Sequence, residues 1–247
     1  MTGFAKLTLV ETKLILRDLF SVPISVVLPT LLVVIFGSSA SSREPNADLG
    51  GIVPIDTVLP SLAIAVTGAI LGLNILPTYL GTHRERGILR RLSTTPAEPR
   101  ALLGAQLVIN LVIALASLAL MYAVGALALG MSAPRHPVGF VAAYLLGLSA
   151  LLAMGLLIAA VAKSARAATG WGFLLFFPSL FFAGIYMPKE VMPAVLSRIG
   201  DFTPLGAFRQ AVQDAWAGTA PDRVQLIFLA LLTVAFGTAA ARLFRWE

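Results

Sequence analysis

Residues 57–82 read TVLPSLAIAVTGAILGLNILPTYLGT, twenty-six positions without an ionisable acid, base or histidine, and residues 83–96 follow at once as HRERGILRRLSTTP. A helix rises 1.5 Å per residue and the hydrocarbon core of a bilayer is ~30 Å thick, so ~20 mostly apolar residues cross it. The first stretch is long enough to cross, and the second is too charged to follow it into lipid. Barrel strands alternate apolar and polar positions and this stretch does not, which leaves a helix as the spanning form.

The same test applied outward finds five more charge-free runs, at Leu19–Ser42, Ala101–Pro134, Pro137–Ala162, Ala167–Pro188 and Val224–Ala241. They predict an all-α membrane protein forming one transmembrane domain over residues 1–247. Its six spans fall at about 19–40, 57–81, 101–129, 138–161, 167–187 and 223–241. Composition agrees: 58% of residues are hydrophobic and 12% charged, against ~45–50% and ~25% in soluble domains. A cytosolic enzyme, a disordered chain and a nucleic-acid binder are thereby excluded. The net charge of +6 belongs to loops rather than to a nucleic-acid face, and the absence of cysteine removes disulfides and thiolate sites.

Counting by side places twelve Lys and Arg with the termini and six on the other face. The positive-inside bias puts both termini in the cytoplasm, as an even number of spans requires, in a multi-pass protein of the plasma (inner) membrane. The first apolar run is too long for a signal-peptide core and contains Pro23 and Pro29, so its retention is expected.

Residues 1–18 place Phe4, Leu7, Val10 (or Glu11), Leu14 and Ile15 at near-helical spacing, which predicts an interfacial helix or a plain flanking anchor. Residues 83–95 predict a short cytoplasmic helix with Ile88, Leu89 and Leu92 on one side and Arg86, Arg90 and Arg91 elsewhere, stopped by Pro96 and Pro99. Anionic lipid would hold the arginines, whereas the apolar triad suits a protein partner. Within residues 188–218, Thr203 is a ready N-cap, Pro204 a first helical residue and Gly218 a stop. Phe208, Ala211, Val212 and Ala215 form a stripe opposite Arg209, Gln210, Gln213 and Asp214. Short amphipathic helices on or dipping into the outer leaflet are expected there.

The runs hold no charge, which argues against ion-coupled transport through an intramembrane carboxylate. Neither HExxH nor GxSxG occurs, and no GxxxxGK[ST] loop exists to hold ATP, so no catalytic residue, metal ligand or bound cofactor is expected of this chain. His136 reads as a plain loop residue. Among polar residues inside spans, Asn110 is expected to hydrogen-bond a neighbouring helix, while Asn74, near the middle of the second span, is equally suited to line a path. Gly68 and Gly72 permit close helix approach. The fifth span gathers Trp171, Phe173, Phe176, Phe177, Phe181, Phe182 and Tyr186 around Pro178, an expected kink that suits a greasy cavity or a lipid-facing surface.

The run Glu85-Arg86-Gly87-Ile88-Leu89-Arg90-Arg91-Leu92-Ser93-Thr94-Thr95-Pro96 resembles the cytoplasmic signature of ABC-2 type exporter permeases. Phe181 to Pro188, Met192-Pro193 and Thr203-Pro204-Leu205 through Arg209 resemble that family's fifth span and external helices, with Ala183 where a small polar residue is common. Bacterial multidrug-resistance, lipid and glycan exporters share the pattern. The resemblance implies a permease that exports a hydrophobic or amphipathic compound, pairs as a homodimer or with a related permease, and docks two copies of a separate ATPase that carries ATP and Mg. Glu85, Gly87, Ile88, Leu89, Arg90, Arg91 and Leu92 would then form the coupling helix, and Thr67, Asn74, Phe176 and Phe177 would line the cargo path. The alternatives are a secondary carrier or channel needing no ATPase, and a membrane scaffold without transport.

Overall fold

The computed structural model describes residues 8–9, 11–13, 21–46, 51–88, 99–187 and 192–244. Its helices are α1 (Ser21–Gly37), α2 (Val58–Ala69), α3 (Leu76–Glu85), α4 (Pro99–Leu129), α5 (Pro137–Val161), α6 (Ala165–Phe182), α7 (Ala194–Asp201), α8 (Pro204–Ala217) and α9 (Arg223–Leu243). Among the described residues no strand forms, and the fold is all-helical.

Among the described residues four helices are long and apolar enough to cross a membrane: Val58–Glu85, which joins α2 to α3, Leu102–Leu129, Pro137–Val161 and Arg223–Leu243. Val22–Gly37 is a shorter apolar helix. At 18 residues, α6 reaches about 27 Å, just short of the ~30 Å core. The fifth expected span therefore stops sooner than its apolar run. The helix ends at Phe182 because Gly184 turns left-handed (φ 74°) and the Ile185 amide folds back onto the Leu180 carbonyl.

Between α2 and α3 the chain widens into a π-helical stretch, Ile70–Ile75. Pro77 accounts for it. The ring has no N–H for the carbonyl four residues back, that of Leu73, and crowds it, so the preceding turn opens. Irregular backbone at membrane depth must be covered by protein, and glycines on two neighbours provide the cover. A Cβ on Gly155 of α5 would lie 2.0 Å from the Gly72 oxygen, and one on Gly172 of α6 would lie 2.1 Å from the Leu73 oxygen.

Helix α5 packs against α8, α9 and the widened turn, while α1 packs against α2 and α4. Thr203 caps α8 by accepting from the Gly206 amide at 3.1 Å, Pro204 follows, and Gly218 ends the helix. These are the residues expected to do so. The expected separation of a wet face from a greasy one is not what forms, because α8 is buried nearly all round. Phe208, 1% exposed, wedges against Gly68 and Gly147. Arg209, 4% exposed, donates to the Ala183 carbonyl at the end of α6 and, at 3.2 Å, to Gln213 Oε1, which Ser61 of α2 also approaches at 3.4 Å. Carbonyls left over at a helix end replace water as partners of the polar face.

The far end of α8 is tied to the α4–α5 loop. The Trp216 indole donates to the Ser132 carbonyl at 3.0 Å, and the His136 amide donates to that of Ala215 at 3.0 Å. His136 does more than fill the loop: its Nδ1 accepts from the Gly139 amide at 3.0 Å and caps α5.

Candidate functional site

The charged run after residue 82 begins inside a helix. Where a loop and a cytoplasmic helix over 83–95 were expected, α3 continues through His83 and Arg84 to Glu85 and breaks at Gly87, whose φ of 64° favours glycine. Three of its side chains turn back onto the chain. Arg84 donates to the carbonyls of Ala159, at 3.0 Å, and Ala162, at the end of α5, and its guanidinium lies 5.3 Å from the Phe244 ring centroid. A cation placed on a helix's last carbonyls is favoured by charge and hydrogen bonding together. Glu85 does the reverse at the start of α6, where Oε1 accepts from the Ala165 amide at 2.9 Å. His83 Nε2 lies 3.7 Å from Glu11 Oε2.

Glu11 is 4% exposed, on the side of the N-terminal segment turned to the bundle. It accepts from Gln106 Nε2 of α4 at 2.7 Å. Burial pushes its carboxyl above the usual carboxylate range, and the Gln106 hydrogen bond offsets part of that. Among the described residues, Gln106 Oε1 and His83 Nδ1 are buried without a hydrogen-bond partner.

Arg86 points elsewhere. Asn74, Thr78, Thr82 and Arg86 recur every fourth residue, and all four line a groove of about 440 Å³ between the widened turn, α3 and α6. Thr169 and Phe173 of α6 form the opposite wall. The Thr78 and Thr169 hydroxyls bridge the two sides at 2.9 Å. Deeper in, Asn74 Oδ1 is buried with no hydrogen-bond partner among the described residues and lies 3.4 Å from where a Cβ on Gly172 would sit.

Of the expected path residues, Asn74 alone lines this groove. Thr67 is a core residue that donates to the Ala63 carbonyl at 2.9 Å and sits 3.4 Å from Ser117 Oγ of α4. Phe177 is exposed and Phe176 half-buried. They reach the groove through Phe173, whose ring stacks on Phe177 at 5.9 Å and meets Phe176 edge-on at 6.4 Å. Of the expected coupling residues, Ile88 lines the groove at its charged end, Gly87 forms the break, and Leu89, Arg90, Arg91 and Leu92 lie outside the described residues. Thr78, Thr82, Arg86, Thr169 and Phe173 were not singled out as a group, although the four-residue spacing on α3 was legible. Among the described residues no cluster of three or more His, Asp or Glu could hold a metal ion.

A polar ladder inside an apolar bundle, opening beside a charged helix end, suits a protein that passes something through a membrane. No curated protein matches this chain. The family model of the ABC-2 type transporter does, over residues 3–217, a match that takes in α1 through α8, and the chain belongs to that family.

Proposed function

We propose that the chain is the permease subunit of an ATP-driven exporter, with α1, the α2–α3 helix, α4, α5, α6 and α9 as six spans and both termini in the cytoplasm of a cell bounded by a plasma membrane. Two such chains, identical or related, pair around the route, and two copies of a separate ATPase bring ATP and Mg. The segment from Gly87 to Leu92 docks in the ATPase, with Ile88, Leu89 and Leu92 as its apolar contact and Arg90 and Arg91 beside them. Glu85 positions that segment through α6. The cargo is a hydrophobic or amphipathic compound, and Asn74, Phe176 and Phe177 lie along its path with Phe173 between them. The observation that carries this reading is the groove between α3 and α6, with its buried, unpartnered Asn74 oxygen, in a chain of the ABC-2 family. ABC-2 permeases generally work with ABC ATPases.

The test is co-purification with a cognate ABC ATPase, followed by ATP-driven export from proteoliposomes. Leu89→Asp is expected to abolish co-purification by burying an unpaired charge in the contact. Normal docking and export by Leu89→Asp would overturn the coupling assignment. Transport by the chain alone on an ion gradient would establish a secondary carrier instead.

A further inference from the structure

We propose that the groove between α3 and α6 takes an amphiphile with an anionic headgroup, the head held at Arg86 and the body lying along α3 toward Asn74 and Phe173. This deepens the permease reading and rests on it for the groove's role as a cargo route.

The wall is graded in polarity along its length. Twelve residues separate Asn74 from Arg86, which is about 18 Å along a helix. At the outer end stands Arg86, exposed and, among the described residues, without an ion-pair partner. The nearby carboxylates are committed elsewhere: Glu85 to the Ala165 amide and Glu11 to Gln106 and His83. Among the described residues no carboxylate pairs with this planar guanidinium, whose donors at the mouth suit a carboxylate, phosphate or sulfate head. The middle is crossed by the Thr78–Thr169 hydroxyl pair, a neutral bridge, and the inner end offers the Asn74 oxygen beside the Phe173 ring. A free inorganic anion would satisfy the mouth and leave the inner two thirds empty. A cationic amphiphile would meet Arg86 as a repulsion. The volume, about 440 Å³, lies within the range of small-molecule pockets.

The test uses the full chain purified into nanodiscs of zwitterionic phosphatidylcholine, so that lipid charge does not compete. The probes are 11-(dansylamino)undecanoate and its tail-matched trimethylammonium analogue. Binding is read as energy transfer from Trp171, two residues from Phe173, with Trp171→Phe as the control that assigns the signal. The carboxylate probe is expected to bind about ten-fold tighter, the scale of one charge-assisted hydrogen-bonding contact. Arg86→Gln should remove that preference and leave the trimethylammonium probe unchanged. Lys163→Gln, in the nearby α5–α6 turn but off the groove wall, should change neither, and millimolar inorganic phosphate should displace neither.

Equal affinity for the two probes, loss of binding by both probes to the wild type, or an equal effect of Lys163→Gln would overturn the headgroup assignment. Displacement by phosphate would replace the amphiphile with a simple ion. Phe173→Ala separates this from the cargo route. If it weakens both probes while their affinities are equal, the route stands and the charge selection falls. If neither Phe173→Ala nor Arg86→Gln affects either probe, the groove is not their site and both fall.

Discussion

Gly172→Ala and Gly170→Ala place the same methyl group on α6 two residues apart, and the structure assigns them opposite outcomes. A Cβ at Gly170 meets nothing within 4 Å, whereas one at Gly172 lies 2.1 Å from the Leu73 carbonyl oxygen. Ordinary contact begins near 3.4 Å, so the widened turn must withdraw by roughly 1.3 Å, the difference of those two distances, or α6 must tilt away. Neither is cheap, because the turn is held on its other side by Gly155, where a Cβ would lie 2.0 Å from the Gly72 oxygen. Overpacking of this kind costs about 1–3 kcal/mol, while both variants share the helix-propensity gain of up to ~1 kcal/mol for replacing glycine. At ~2–4 °C per kcal/mol for a chain of this size, Gly172→Ala should melt about 2–12 °C below Gly170→Ala. The measurement is thermal unfolding of the purified chains in one mild detergent, followed by tryptophan emission. A Gly172→Ala variant as stable as Gly170→Ala would refute the close approach of α6 to the widened turn.

Arg84→Met keeps the length of the side chain and removes its donors to the Ala159 and Ala162 carbonyls. A loss of about 1.5–3 kcal/mol is expected, and an unchanged melting temperature would show the clamp to be idle. Glu11 supplies a pH dependence. Its carboxyl is raised in the folded chain, so its contribution to stability is fully present below the unfolded value and is lost as pH rises through the folded one. Lowering the pH from 8 toward 5 should therefore raise the melting temperature of the wild type relative to Glu11→Gln. His83, the titratable group facing Glu11, and Arg86 beyond it are retained in both chains, so the difference reports Glu11, and parallel pH profiles would contradict its burial.

What was legible beforehand was local. Thr203, Pro204 and Gly218 mark the ends of α8 because capping is decided within a few residues of chain, and charge-free length alone located the long helices. The misreadings share one cause, a polar group whose partner is distant in sequence. Arg209 and Gln213 looked like a wet face of α8, and their partners are Ala183 and Ser61. Arg84 and Glu85 looked like part of a separate cytoplasmic helix, and their partners are the end of α5 and the start of α6. Glu11 shared a helical position with Val10 in the amphipathic pattern, and only Gln106 decides between them. The ladder of Asn74, Thr78, Thr82 and Arg86 was periodic in plain view, but three polar residues spread over an apolar stretch barely alter its hydropathy.

The Val58–Glu85 helix is consequently fixed at its ends and irregular in its middle. Near its start, Ser61 reaches Gln213, and Phe208 closes on Gly68. At its other end Arg84 and Glu85 fasten α3 to both sides of the α5–α6 turn, and His83 faces Glu11. Between them lies the widened turn, whose hydrogen-bond pattern differs from that of the helix on either side. These ties join the end of α3 to α5 and α6 together. The irregular stretch between the two fixed ends is Ile70–Ile75, held from both sides by the glycines of α5 and α6. The same stretch carries Asn74 and touches α6 at Gly172. The charged end and the polar wall of the groove therefore belong to one helix, and Pro77 sets where along it the regular ladder is interrupted.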